Sequence, residues 1–109
     1  MAMTRLQLLL GKVAEEAAEV AQRALKAQQF GLEEVQDGQD QDNADRLHNE
    51  LIDLRAVVEM VEEEADVSLF AVGIESMGTE PFAITLKKQK VERYLQLSQS
   101  LGLVEPKGD

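Results

Sequence analysis

Two long runs of this chain repeat aliphatic residues at the spacing of a single helix face, and neither contains a proline. In the first, Leu6, Leu9, Leu10, Val13, Ala17, Val20 and Ala24 recur every three or four positions, which predicts a helix over 5–29. Thr4 suits its N-cap and Gly31 its stop. In the second, Leu47, Leu51, Leu54, Val57, Val58 and Val61 form a stripe that predicts a helix over 44–65. Asn43 is the expected cap, and Asp45 in the first turn favours the helix dipole. Residues 31–43 between them, GLEEVQDGQDQDN, read as a polar loop.

A third helix is expected over 81–100, with Thr79-Glu80-Pro81 as its start and Gly102 beyond its end. Val67 to Ile74 reads as a further helical piece or a connector, and Gly73 and Gly78 weaken both readings. The tail Glu105 to Asp109 is expected to fray. Hydrophobic residues make up 44% of the chain and aromatics 4%, which favours helices packed on aliphatic side chains over a sandwich or barrel. The expected fold is all-α, one domain over 1–109, with three to four helices completed by homo-oligomerisation. A chain this short buries a modest core. Leu86, Leu97 and Leu101 lie apart from Val91 and Leu95 around the third helix, so two of its sides want cover.

Several chemistries are excluded. With no Cys there are no disulfides or thiolate sites. A single His, His48, rules out a zinc site needing two imidazoles from one chain, and His48 projects away from Glu50. The formal charge of −10 opposes broad binding to nucleic acid. No stretch approaches the roughly 20 apolar residues of a membrane span, and Leu8-Leu9-Leu10 is too short for a signal-peptide core. A cytoplasmic protein is the expectation.

The chemistry lies in carboxylates. Glu16 and Glu19 on the first helix are three apart and project from one side. Glu50 and Asp53 repeat that spacing on the second helix. The first-helix acids lie largely opposite the apolar stripe, with Glu16 nearest its boundary, so alone they read as solvated charge. Glu50 differs. At about 100° per residue it falls inside the stripe of Leu47, Leu51, Leu54 and Val57, with Asp53 at the edge. A carboxylate on a core-facing stripe needs a partner, and Arg46 and Arg55 project away from it. Either a metal shared with the first helix supplies that partner, or Glu50 is neutral through a raised pKa. Hard divalent cations prefer oxygen ligands; magnesium binds this way and manganese accepts the same set.

Glu15-Glu16-Ala17-Ala18-Glu19 followed by Glu50-Leu51-Ile52-Asp53 resembles the EExxE…ExxD pattern of the all-α nucleotide pyrophosphatases. That superfamily includes MazG-like proteins, dimeric dUTPases and phosphoribosyl-ATP pyrophosphohydrolases; the likeness is to small MazG-like proteins, including those of phage. Lys12, the exit Gln28-Gln29-Phe30-Gly31-Leu32 and Asn43 extend it, and it covers Leu6 to Met60 well and Lys87 to Leu101 loosely. The 30 residues between Glu19 and Glu50 are long for the superfamily, which bears on the loop's contacts. The resemblance implies a helical bundle that forms dimers or tetramers. It also implies Mg²⁺-dependent cleavage between α and β phosphates to a nucleoside monophosphate and pyrophosphate. Glu16, Glu19, Glu50 and Asp53 would be the metal ligands, and Glu15 would orient or deprotonate the attacking water.

Four of the 11 basic residues, Lys87, Lys88, Lys90 and Arg93, fall in the third helix. Lys87, Lys90 or Arg93 would meet substrate phosphates, form a solvated face, or pair with a neighbour's acids across an oligomer contact. Lys12 lies one turn before Glu16 and would touch a phosphate or pair with Glu16. Phe30, Phe70, Phe82 and Tyr94 read as core packing rather than base-stacking groups. Two other functions stay open: a histidine-pathway phosphoribosyl-ATP hydrolase, and an acidic helical adaptor whose Leu stripes hold a partner helix. The adaptor leaves Glu50 unexplained.

Overall fold

The computed structural model describes residues 2–70 and 79–106. Among them are three helices and no strand: α1 (Arg5–Phe30), α2 (Asn43–Ala65) and α3 (Thr79–Ser100). The chain divides into two compact units, Met1–Leu69 and Phe70–Asp109.

The first unit is a helical hairpin. α1 starts where expected, at a reciprocal cap. The Gln7 amide donates to Thr4 Oγ1 at 3.0 Å, and the Thr4 amide donates to Gln7 Oε1 at 2.9 Å. The helix runs one residue past the expected end and stops at Gly31, whose φ of 94° an L side chain adopts only with strain. Its amide still donates to the Ala27 carbonyl at 2.8 Å.

The entry to α2 differs from expectation. The cap is Asp42, which accepts from the Asp45 amide at 2.8 Å, and Asn43 is the first helical residue. Asn43 has a different task. It is 1% exposed, and its Nδ2 donates to the Gly31 carbonyl at 2.8 Å. The loop is tied down throughout: Asn43 N donates to Glu34 O, Ala44 N to Leu32 O, and Arg46 Nη1 to Gln36 Oε1 at 2.6 Å. α2 ends at Asp66, in the left-handed region at φ 53°, which a short polar side chain tolerates.

α1 and α2 run antiparallel, with Arg5 beside Glu64 at 3.0 Å at one end and Gly31 beside Asn43 at the other. Leu9, Val58 and Val61 are buried between them. Leu47, Leu54 and Val57 are half-buried, but Leu51 is 48% exposed, so the α2 stripe is narrower than the sequence suggested.

In the second unit α3 begins at Thr79, two residues before the expected Pro81, which puts Pro81 in the first turn. Beyond Ser100 the chain turns back at Gly102. Leu103 N donates to Ser98 O at 2.9 Å and Gln99 Nε2 to the Glu105 carbonyl at 3.0 Å. Residues 107–109 of the tail lie outside the described residues, as does half of the segment Val67 to Ile74, of which 67–70 are not helical. The four aromatics are 47% to 64% exposed rather than packed in a core.

Candidate functional site

The antiparallel pairing brings the middle of α1 level with the first half of α2. Glu16, Glu50 and Asp53 each place a carboxylate oxygen within 4.8 Å of the other two. Among the described residues this is the one cluster of three or more groups that a metal ion would use. Glu50 is half-buried, as its place in the α2 stripe implied, and Asp53 is exposed at the edge. Glu16 is half-buried where α1 turns toward α2.

The electrostatics follow from the crowding. Glu16 is held above the ordinary glutamate value, first by desolvation and then by the charges of Asp53, Glu50, Glu19 and Glu15 in that order. Arg46 and Arg55, the nearest cations along α2, are turned to Gln36 and to Glu59.

The other acids of α1 stand apart from the triad. Glu19 raises the Glu16 value by its charge, but it is exposed and is not one of the three converging groups. Glu15 is exposed and takes Lys12 as its partner at 2.9 Å. The sequence left Lys12 to a phosphate or to Glu16; the structure pairs it with Glu15, three residues on, and that carboxylate holds the ammonium above the usual lysine value by hydrogen bond and then charge. His48 is exposed. Lys87, Lys90 and Arg93 belong to the second unit, where Lys90 and Arg93 line a shallow cleft of about 220 Å³ with Tyr94 and Leu97.

Three carboxylates at this spacing suit a small hard cation. Their oxygens match its ligand preference, and their mutual repulsion is what such an ion relieves. Glu16, Glu50 and Asp53 are therefore the residues that could hold magnesium or manganese. Sequence reasoning missed the loop clefts beside Phe30. One, of about 450 Å³, is lined by Phe30, Gly31, Leu32, Glu33 and Glu34; the other, of about 340 Å³, shares Phe30 and Glu34 and is otherwise lined by Lys26, Val35, Gln36 and Asp37. Their signal was the exposed apolar residues at the end of α1 and in the polar loop after it: Phe30, Leu32 and Val35. None of the described helices is long and apolar enough to cross a membrane. Comparison with protein families, with curated proteins and with solved structures finds no match to this chain.

Proposed function

We propose that this protein is a Mg²⁺-dependent nucleoside triphosphate pyrophosphohydrolase of the MazG-like type, working as a homo-oligomer and releasing a nucleoside monophosphate and pyrophosphate. The observation that carries the reading is the convergence of Glu16, Glu50 and Asp53 from two helices, at the positions the acidic pattern singles out. The adaptor reading gives no reason for a carboxylate on the core-facing stripe of α2 to meet another from α1.

Glu16, Glu50 and Asp53 would hold the ion, with Glu19 close enough to add its charge. When bound, such an ion supplies positive charge against the phosphates and Lewis acidity at the reacting phosphorus. The chain's own groups do the rest. Glu15, next to Glu16 in sequence and paired with Lys12, would orient the attacking water and accept its proton. Lys12 is the cation available to a phosphate oxygen on this side of α1, at the cost of loosening its hold on Glu15. Phosphoryl transfer asks mainly for positioning and charge stabilisation, so a chain with no Cys and one exposed His is no obstacle.

The test is pyrophosphate release from a panel of canonical and modified nucleoside triphosphates and phosphoribosyl-ATP, with and without Mg²⁺, beside Glu50→Gln. Metal-dependent release that the variant loses supports the reading. Turnover of phosphoribosyl-ATP alone moves the protein to the histidine pathway. No release from any substrate, together with no Mg²⁺ binding by calorimetry, removes the hydrolase.

A further inference from the structure

The charges of this chain are divided between its two units. Met1–Leu69 carries sixteen of the 21 acidic residues and six of the 11 basic ones. Between Phe82 and Leu101 there are four basic residues and one acidic, Glu92.

The basic residues of α3 sit among its apolar ones. At about 100° per residue, Leu86, Lys90, Tyr94, Leu97 and Leu101 fall within a sector of roughly 80°, with Lys90 at its middle. Phe82 and Arg93 follow along one edge and Lys87 along the other. Leu86, Tyr94, Leu97 and Leu101 are 49% to 63% exposed. Away from this sector lie Thr85, Gln89, Gln96 and Gln99, uncharged and polar, so the helix already has a side suited to water.

α2 presents the opposite combination. Away from the buried line of Val58 and Val61, its outer side carries Ile52, Ala56 and Met60, with Glu59 and Glu63 beside them. Ile52 is 52% exposed and Met60 39%. Glu59 meets Arg55 at 3.3 Å, but both side chains are more than half exposed, and a pair of that kind is readily exchanged.

We propose that the Lys90 face of α3 docks on the Ile52–Met60 face of α2 in a second copy of this chain. Charge chooses the partner. Two α3 faces together would oppose Lys90 and Arg93 to their own copies. Two α2 faces would do the same with Glu59 and Glu63. Like-charge juxtaposition of this kind costs several kcal/mol. Each face thus rejects itself and accepts the other: Leu86, Tyr94 and Leu97 lie on Ile52 and Met60, and Lys90 and Arg93 meet Glu59 and Glu63. A two-fold axis makes this contact twice, which closes a dimer. The inference rests on the homo-oligomer part of the proposed function and names its contact; its readout is mass, so its failure is distinguishable from a failure of pyrophosphate release.

Two charge reversals test it, followed by sedimentation velocity and light scattering, with helical content checked by circular dichroism. Wild-type protein is expected at the mass of two chains, with association weakening as salt rises. Lys90→Glu/Arg93→Glu and Glu59→Lys/Glu63→Lys are each expected to raise the dissociation constant at least ~30-fold. Mixed in equal amounts, the two variants carry complementary faces at both contacts and should recover the two-chain mass. Lys90→Ala/Arg93→Ala, a milder change, should weaken association without new repulsion. A wild-type mass of one chain, variants that stay dimeric, or helical variants whose mixture does not recover the dimer would each overturn the proposal.

Discussion

Asn43 donates from Nδ2 to the carbonyl of Gly31 at 2.8 Å, and that bond ties the exit of α1 to the entry of α2. The same nitrogen reaches Glu34 Oε1 at 3.4 Å. Asn43→Ala removes the donor and leaves the carbonyl unpaired, at a cost of about 1–3 kcal/mol. Asn43→Asp keeps the shape but aims a second carboxylate oxygen at an acceptor carbonyl and at Glu34. It should cost more than the alanine variant at neutral pH, and the excess should shrink as the carboxyl protonates. Urea unfolding followed by circular dichroism at two pH values measures both. An aspartate variant as stable as wild type at neutral pH would remove the bond from the account of the hairpin.

Two glycines, one inside α1 and one at its C-cap, should respond to alanine in opposite directions. Gly31 has φ 94° and ψ 156°, a region nearly reserved for glycine, and an added Cβ there meets nothing within 4 Å. The cost of Gly31→Ala is therefore backbone strain alone, about 1–3 kcal/mol. Gly11 lies inside α1, also with nothing within 4 Å of an added Cβ. Gly11→Ala should stabilise by about 0.5–1 kcal/mol, because glycine loses more freedom on entering a helix. The same urea titration reads both, and a shared sign would contradict the argument.

The raised Glu16 value makes a claim about pH. A folded value above the unfolded one means the folded chain holds this proton more tightly. The stability it contributes is complete below the ordinary glutamate value and is lost as pH rises through the raised one. Metal-free protein should therefore carry a penalty at Glu16 by pH 7. Glu16→Gln imitates the protonated form and escapes that penalty. Thermal unfolding in a chelator should give the variant the higher midpoint at neutral pH, with the difference closing in acid. A lower midpoint at pH 7 would mean that the charged carboxylate has a stabilising partner.

What the sequence could reveal followed the strength of its periodicity. Glu50 was legible because it occupies a stripe position, and it is half-buried while its neighbour Leu51 is 48% exposed. The wheel assigned Leu51 to that stripe because hydrophobicity and position cannot say how wide the partner helix is. Lys12 shows a different limit. Residues three and four away are both neighbours on a helix, so the spacing that suggested Glu16 suited Glu15 equally, and Glu16 faces Glu50 and Asp53 instead. Asn43 read as a cap because Asn is a good one. The preceding Asp42 is as good, and only the return of the loop showed that the buried position needed a donor for Gly31. The exposed aromatics were misread because a residue type favours a core without guaranteeing that one is there.

Glu19 separates the pattern from the geometry. By spacing it belongs with Glu16, and by resemblance it is a metal ligand; in the structure it stands outside the converging triad and acts on Glu16 through charge. If the triad is the binding unit, Glu50→Gln or Asp53→Asn removes one of three converging ligands and should weaken Mg²⁺ binding about 100-fold or more. Glu19→Gln, which removes only a neighbouring charge, should weaken it about tenfold or less, as outer groups around metal sites do at the low end of their range. Calorimetric titration of each variant with Mg²⁺ gives the ratio directly. Equal losses at Glu19 and Glu50 would mean that the Glu19 side chain turns inward when the ion arrives and that the site has four carboxylates. A loss at neither would show that the ion does not bind here.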